Sequence, residues 1–161
     1  MSERAGSTVR TRAAKRAKQV DIDGLRSYLA YALCEADRAV HHGLAEALVA
    51  EGVSVEQWRI LRALSDGRGH TMGDLAEAAL MPQPTLTKAV DRLVDGALVY
   101  RRQDDVDRRR VAVYLSDRGR GLVTRLDRRA DDHHREITEV FGAERSQRLV
   151  RELERLVASL R

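Results

Sequence analysis

A mainly α fold is predicted, a winged helix-turn-helix whose one β-hairpin forms the wing, carried between long N- and C-terminal dimerisation helices. Three observations support it. Aromatic residues are only 4% of a 161-residue chain that is 43% hydrophobic, so the core must be packed from Leu, Ala and Val, which suits helices better than sheets. Apolar residues recur at three- and four-residue steps along most of the chain, the period of an amphipathic helix. Only between Leu98 and Leu115 does the period fall to two, the signature of strands. The length allows one domain with an appended dimerisation element and excludes two large domains.

The first segment, residues 1–20, holds six basic residues against Glu3 and almost no apolar periodicity. It reads as a disordered basic arm, suited to phosphate contact or to solubility alike. Residues 21–161 read as a single domain. From Asp23 to about Ala50, Leu25, Leu29, Leu33, Val40, Leu44 and Leu48 predict one long amphipathic helix stopped by Gly52. Ser54 with Gln57 forms a capping box, in which the hydroxyl accepts from the amide three residues on and the glutamine reaches back. The helix it opens carries Trp58, Leu61 and Leu64 and ends at Asp66-Gly67-Arg68-Gly69. Thr71 with Asp74 starts a short helix that must stop before Pro82, because proline bars helical geometry from its predecessor. Pro82-Gln83-Pro84 opens the next, where proline is tolerated in the first turn. Its apolar positions Leu86, Ala89, Val90 and Leu93 leave Gln83, Pro84, Thr85, Thr87, Lys88, Asp91 and Arg92 on the other face.

After Gly96, strands Leu98–Arg102 and Val111–Leu115 form a hairpin with a basic tip, Asp107-Arg108-Arg109-Arg110. Ser116 then caps a long helix through Val140, and after Gly142 a last helix repeats Leu149, Leu153, Leu156 and Leu160 at coiled-coil spacing. This divides the domain into a winged helix-turn-helix lobe, residues 53–115, and dimerisation helices over 21–52 and 116–161.

Charge follows the same division. The formal charge is +4, yet residues 21–66 sum to −4 and residues 82–129 to +5. A polyanion-binding surface requires such localisation. In a winged helix-turn-helix the second helix of the pair lies in the major groove and offers its first turns to base edges. Gln83, Pro84, Thr85, Thr87, Lys88 and Arg92 occupy that position, and Gln, Thr and Lys have the hydrogen-bonding chemistry to use it. A bland amphipathic helix would also show a polar face. The arginines beyond any core at the hairpin tip favour DNA, because a guanidinium at a narrow protrusion suits the negative potential of a narrow minor groove.

Taken together, Ser54-Val55-Glu56-Gln57-Trp58, Leu75-Ala76, Thr85-Leu86-Thr87-Lys88-Ala89-Val90-Asp91-Arg92-Leu93, Asp107-Arg108-Arg109 and Leu115-Ser116-Asp117-Arg118-Gly119 resemble the MarR family of bacterial transcription regulators. The resemblance covers about Leu25 to Arg161. It implies a homodimer joined through the first and the last two helices. It also implies a sequence-specific, ligand-responsive repressor that binds double-stranded DNA at an inverted-repeat operator. Asp107 and Arg109 match the family's wing pair, with the arginine entering the minor groove. Leu80 departs from the family, which usually has glycine in that turn. Some relatives sense peroxide through a cysteine, but that position falls on Ala30 here.

Other candidates are weaker. Cys34, the single cysteine, cannot form an internal disulfide and reads as a buried small hydrophobe. Cys34, Asp37 and His41 share a helix face, and His42, His133 and His134 lie on helices expected to approach. Adjacent histidines point about 100° apart, so solvated or interface histidine is the better reading and no metal site is expected. Tyr28, Tyr31 and Trp58, with Arg38 and Arg59 as cations, could line a pocket for a small aromatic or phenolic effector; for the individual residues a hydrophobic seam is the favoured reading. No GxSxG, P-loop, GxGxxG or HExxH is present, so an enzyme is not expected, nor is a cofactor. The absence of a bilayer-length apolar run predicts no membrane contact and a cytoplasmic, nucleoid-associated protein. The competing function is a winged-helix protein-interaction module without specific DNA binding.

Overall fold

The computed structural model describes residues 22–103 and 110–161. The expected basic arm and the wing-tip residues Asp107, Arg108 and Arg109 lie outside them. The chain forms two compact units, residues 1–40 and 41–161.

In the first unit, the helix expected to run unbroken from Asp23 is interrupted. Helix α1 covers Ile22–Arg26 and α2 covers Leu29–Val49, running on into the second unit. Serine competes for backbone partners, and here Ser27 Oγ donates to Gly24 O at 2.7 Å while the Tyr28 amide donates to Leu25 O at 3.0 Å. Tyr28 O then accepts from the amides of Tyr31 and Ala32, at 3.0 and 3.1 Å, to begin α2. Hydrophobic periodicity survives such a break, so the pattern alone shows one helix. Cys34 is exposed rather than buried, because α2 around it, residues 32–40, is exposed throughout in the isolated chain.

The second unit holds the core. Helix α3, Val55–Ala63, starts at the expected capping box: Ser54 Oγ accepts from the Gln57 amide at 3.2 Å, and Gln57 Oε1 accepts from the Ser54 amide at 3.0 Å. A 3₁₀ turn over Leu64–Asp66 follows. Helix α4, Met72–Ala78, repeats the device with Thr71 and Asp74. The Thr71 hydroxyl and amide hold the Asp74 carboxyl below the usual carboxylate range, so this cap persists in mild acid and is lost as pH falls through that lowered value. Helix α5 is Gln83–Asp95, strands β1, Val99–Gln103, and β2, Val111–Leu115, pair antiparallel, and helices α6, Asp117–Phe141, and α7, Ala143–Ser159, complete the chain. One core joins these elements: Leu48, Ile60, Leu61, Leu64, Leu75, Leu86, Val90, Leu93, Val113 and Leu126 are at most 1% exposed.

Beyond the hairpin, the structure adds a bridge in which the His70 and Val113 amides and carbonyls bond reciprocally at 3.1 and 2.9 Å. Gly69 allows it, since a Cβ there would fall 2.2 Å from the Tyr114 ring. At the other end of the hairpin, Ser116 Oγ sits 2.8 and 2.9 Å from the carbonyl oxygens of Ala97 and Leu98 and accepts from the Gly119 amide at 2.9 Å. The wing base is thereby tied to the first turn of α6.

The turn that follows α4 and the turn that follows α5 both pass through left-handed backbone without glycine: Leu80, after α4, has φ 55° and Ala97, after α5, φ 53°. The Ala97 and Leu98 amides close the helix on Val94 O and Leu93 O at 2.8 and 2.9 Å, the left-handed helix ending in which glycine is preferred. Gly96, after which the hydrophobic period changes to two, is itself right-handed. Left-handed geometry costs a residue with a Cβ about 1–2 kcal/mol, whereas glycine loses about 0.5–1 kcal/mol more entropy on folding. Leu80 is 78% exposed and contributes no packing that glycine would lose. Leu80→Gly is therefore expected to stabilise the protein by about 0.5–1 kcal/mol, read as a higher thermal unfolding midpoint. A lower midpoint would show that the leucine side chain has a partner.

Candidate nucleic-acid interface

Helix α5 is amphipathic as its spacing predicts. Leu86 and Val90 are fully buried and Leu93 nearly so, which turns Gln83, Pro84, Thr85, Thr87, Lys88 and Arg92 outward, all six exposed. Pro82 is the N-cap, and its carbonyl accepts from the amides of Thr85 and Leu86 at 3.0 Å. The six are not equivalent. Thr87 Oγ1 donates to Gln83 O at 3.0 Å, so its hydroxyl proton is already engaged. Gln83 Nε2 reaches back to Met72 O at 3.5 Å, between α5 and α4. Among the described residues Thr85, Lys88 and Arg92 make no such bond, and they line an open groove of about 510 Å³ against Ser54, Glu56 and Gln57 at the start of α3. Spacing along the chain does not bring α3 to this site; only the folded packing of α3 on α5 does so.

The hairpin contributes the second part. Arg110 is exposed at the foot of β2, and its charge helps to keep Asp74 ionised. Tyr100 and Tyr114 stack across the strands with centroids 5.5 Å apart, and the Arg102 guanidinium lies 4.4 Å over the Tyr114 ring. Arg101 Nη2 meets Asp91 Oδ1 of α5 at 2.7 Å. None of these hairpin contacts is among the expectations from sequence, although the two-residue period and the antiparallel register imply the Tyr100–Tyr114 pair.

The residues proposed for an effector fall in both units. Tyr28, at the helix break, is 66% exposed, and Tyr31 and Arg38 lie on α2 in the first unit. Trp58 and Arg59 are on α3 in the second, where Trp58 Nε1 donates to Asp127 Oδ1 of α6 at 3.3 Å, with Arg62 Nε 3.6 Å from the same oxygen. His133 packs so closely on Gly43 that a Cβ there would fall 2.5 Å from its Cε1, His41 faces Glu56 at 3.6 Å and His42 faces Glu46 at 3.4 Å. Among the described residues no cluster of His, Cys, Asp and Glu could hold a metal ion, and no helix is long and apolar enough to cross a membrane.

Residues 51–110 match the model of the MarR family. Over 107 residues, 66% of the chain, the sequence is 28% identical to the HTH-type transcriptional regulator TtmR of Methylorubrum extorquens (strain PA1). The chain spans about half the length of the curated relatives it matches, 55% and 54%. Among solved structures, the transcriptional repressor CouR bound to a 23-mer DNA duplex superposes with a TM-score of 0.78 at 22% identity, covering 87% of this chain and 99% of that one. NadR in complex with 4-hydroxyphenylacetate superposes with a TM-score of 0.67 at 26% identity, covering 97% of each chain.

Proposed function

We propose that this chain, whose residues 51–110 match the MarR family model, is a MarR-type, sequence-specific DNA-binding transcription regulator acting as a homodimer. The observation that carries the reading is the exposed row Thr85, Lys88 and Arg92 on α5, held by buried Leu86, Val90 and Leu93 beside a basic hairpin. Thr85 and Lys88, near the helix start, take the base edges of the major groove; Arg92, further along, takes phosphate. Arg108, Arg109 and Arg110, with Asp107 to restrain a guanidinium, take the minor groove and its backbone. The likeness to a DNA-bound repressor supports this division at the level of fold. A protein-interaction module would have no use for that arrangement of cations.

The dimer reading rests on surface that one chain leaves open. Helix α7 has no buried residue: Leu149, Val150 and Val157 on it are 47–51% exposed, Leu160 just after it is 78% exposed, and Val140 and Phe141 at the end of α6 are 91% and 43% exposed. A two-fold partner would cover such a stripe. Light scattering at micromolar concentration should then return about twice 18.1 kDa.

Ligand response extends the proposal. The likeness to a regulator in complex with 4-hydroxyphenylacetate supports a small aromatic or phenolic effector. Repression relieved by such a molecule, in the cytoplasm and without enzymatic activity, completes the reading. Fluorescence anisotropy with random duplex DNA across salt concentrations tests its core. Binding should weaken linearly in log–log form, with a slope of about −0.9 per neutralised phosphate. No binding at low salt would leave the protein-interaction module standing instead.

A further inference from the structure

The hairpin leaves the core at Arg101. Val99 is 2% exposed, and strand alternation places Arg101 on the same face, opposite Val113, which is 1% exposed. Where the next apolar residue of that face would stand, a guanidinium meets the Asp91 carboxylate of α5. The other face of β1 is held separately, by Tyr100 and Arg102 on the Tyr114 ring. Two residues beyond Arg101, at Gln103, β1 ends and the chain enters the wing tip. The Arg101–Asp91 pair is thus, among the described residues, the last side-chain tie between the core-side face of the hairpin and α5 before the tip.

We propose that Arg101 and Asp91 are a positioning pair for DNA binding, fixing the angle between wing and α5 so that both reach their grooves together. The inference rests on the DNA-binding reading above. Folding alone gives little reason for the pair, since its side chains are 36% and 51% exposed and such pairs are screened by solvent. Asp91 also sits on the face that carries Lys88 and Arg92, where an unpaired carboxylate would repel phosphate. Arg101 both neutralises that charge and converts it into an anchor.

Asp91→Asn separates anchoring from charge, because the two predict opposite signs. Removing a negative charge from a DNA-facing helix should strengthen binding if only net charge mattered. Loss of the anchor should weaken it by about fivefold, within the range of measured side-chain couplings, with the melting temperature unchanged. Arg101→Lys, which keeps the charge within reach of Asp91, should recover part of the affinity that Arg101→Gln loses. In the Asp91→Asn background, Arg109→Ala should lose less affinity than in the wild type, since a wing that is no longer held contributes less. The proposal is overturned if Asp91→Asn binds as tightly as the wild type or more tightly, if the Asp91→Asn and Arg109→Ala penalties multiply independently, or if Asp91→Asn melts much lower, which would assign the pair to folding. A wild-type protein that binds no duplex at low salt would instead overturn the DNA-binding reading itself.

Discussion

Arg109→Ala is expected to lower affinity for every duplex alike, by about tenfold or more, the equivalent of ~1.4 kcal/mol or above. On the proposed reading the Arg109 guanidinium acts through minor-groove potential and phosphate proximity, and neither depends on base identity in the major groove. The salt slope should flatten by up to about one unit for each phosphate that the arginine no longer neutralises, and the ranking of operator variants should stay as it was. Thr85→Ala and Lys88→Ala should behave differently. These side chains project from the first turns of α5, are exposed, and have no intramolecular hydrogen bond among the described residues. Removing a hydrogen bond to a base edge there costs ~1–3 kcal/mol at one position and reorders the ranking. Thr87→Ala should matter less than Thr85→Ala, because the Thr87 hydroxyl already donates to Gln83 O. Competition titrations against single-base operator variants read all four. Wild-type affinity and slope in Arg109→Ala would make the wing a solvated hairpin.

The second large effect concerns assembly. Leu153→Glu or Val157→Glu places a carboxylate on α7 within its open apolar stripe, where Val157 is 50% exposed in the single chain. An unpaired charge desolvated in an interface costs ~2–5 kcal/mol at each of two symmetric positions, enough to displace a micromolar dimer toward monomer. Each lobe should remain folded, because α7 contributes no buried residue to the core. Operator affinity should nevertheless fall by about 100-fold or more, because two linked recognition helices bind with an avidity that one lacks. Sedimentation and anisotropy on the same samples check both halves. A monomeric variant with wild-type operator affinity would remove the dimer from the mechanism.

Much of this fold was legible from spacing and caps. The boxes at Ser54 and Thr71, the strands at Val99 and Val111 and the outward row on α5 follow from rules that act within a few residues. What spacing missed depends on backbone state or on distance along the chain. The break at Ser27 preserves the apolar period of the helices on either side. Ala97 is left-handed although the neighbouring glycine is the obvious candidate, because the amides of residues 97 and 98 select the stopping point, not composition. Leu80 was legible only as a departure from a family glycine, and its φ of 55° shows that the left-handed turn persists without one. The Arg101–Asp91 contact spans ten residues between different elements, beyond any local rule. Residue type alone puts Cys34 in a core, whereas the helix that carries it is open in the single chain.

Selection of bound sequences from random duplex DNA tests the central claim most directly, because it requires specific recognition and two-fold symmetry in a single result. The account predicts an enriched inverted repeat whose half-sites are centred about one helical turn, ~10 base pairs, apart. No enrichment over the starting pool, or a single unsymmetrical half-site, would contradict it.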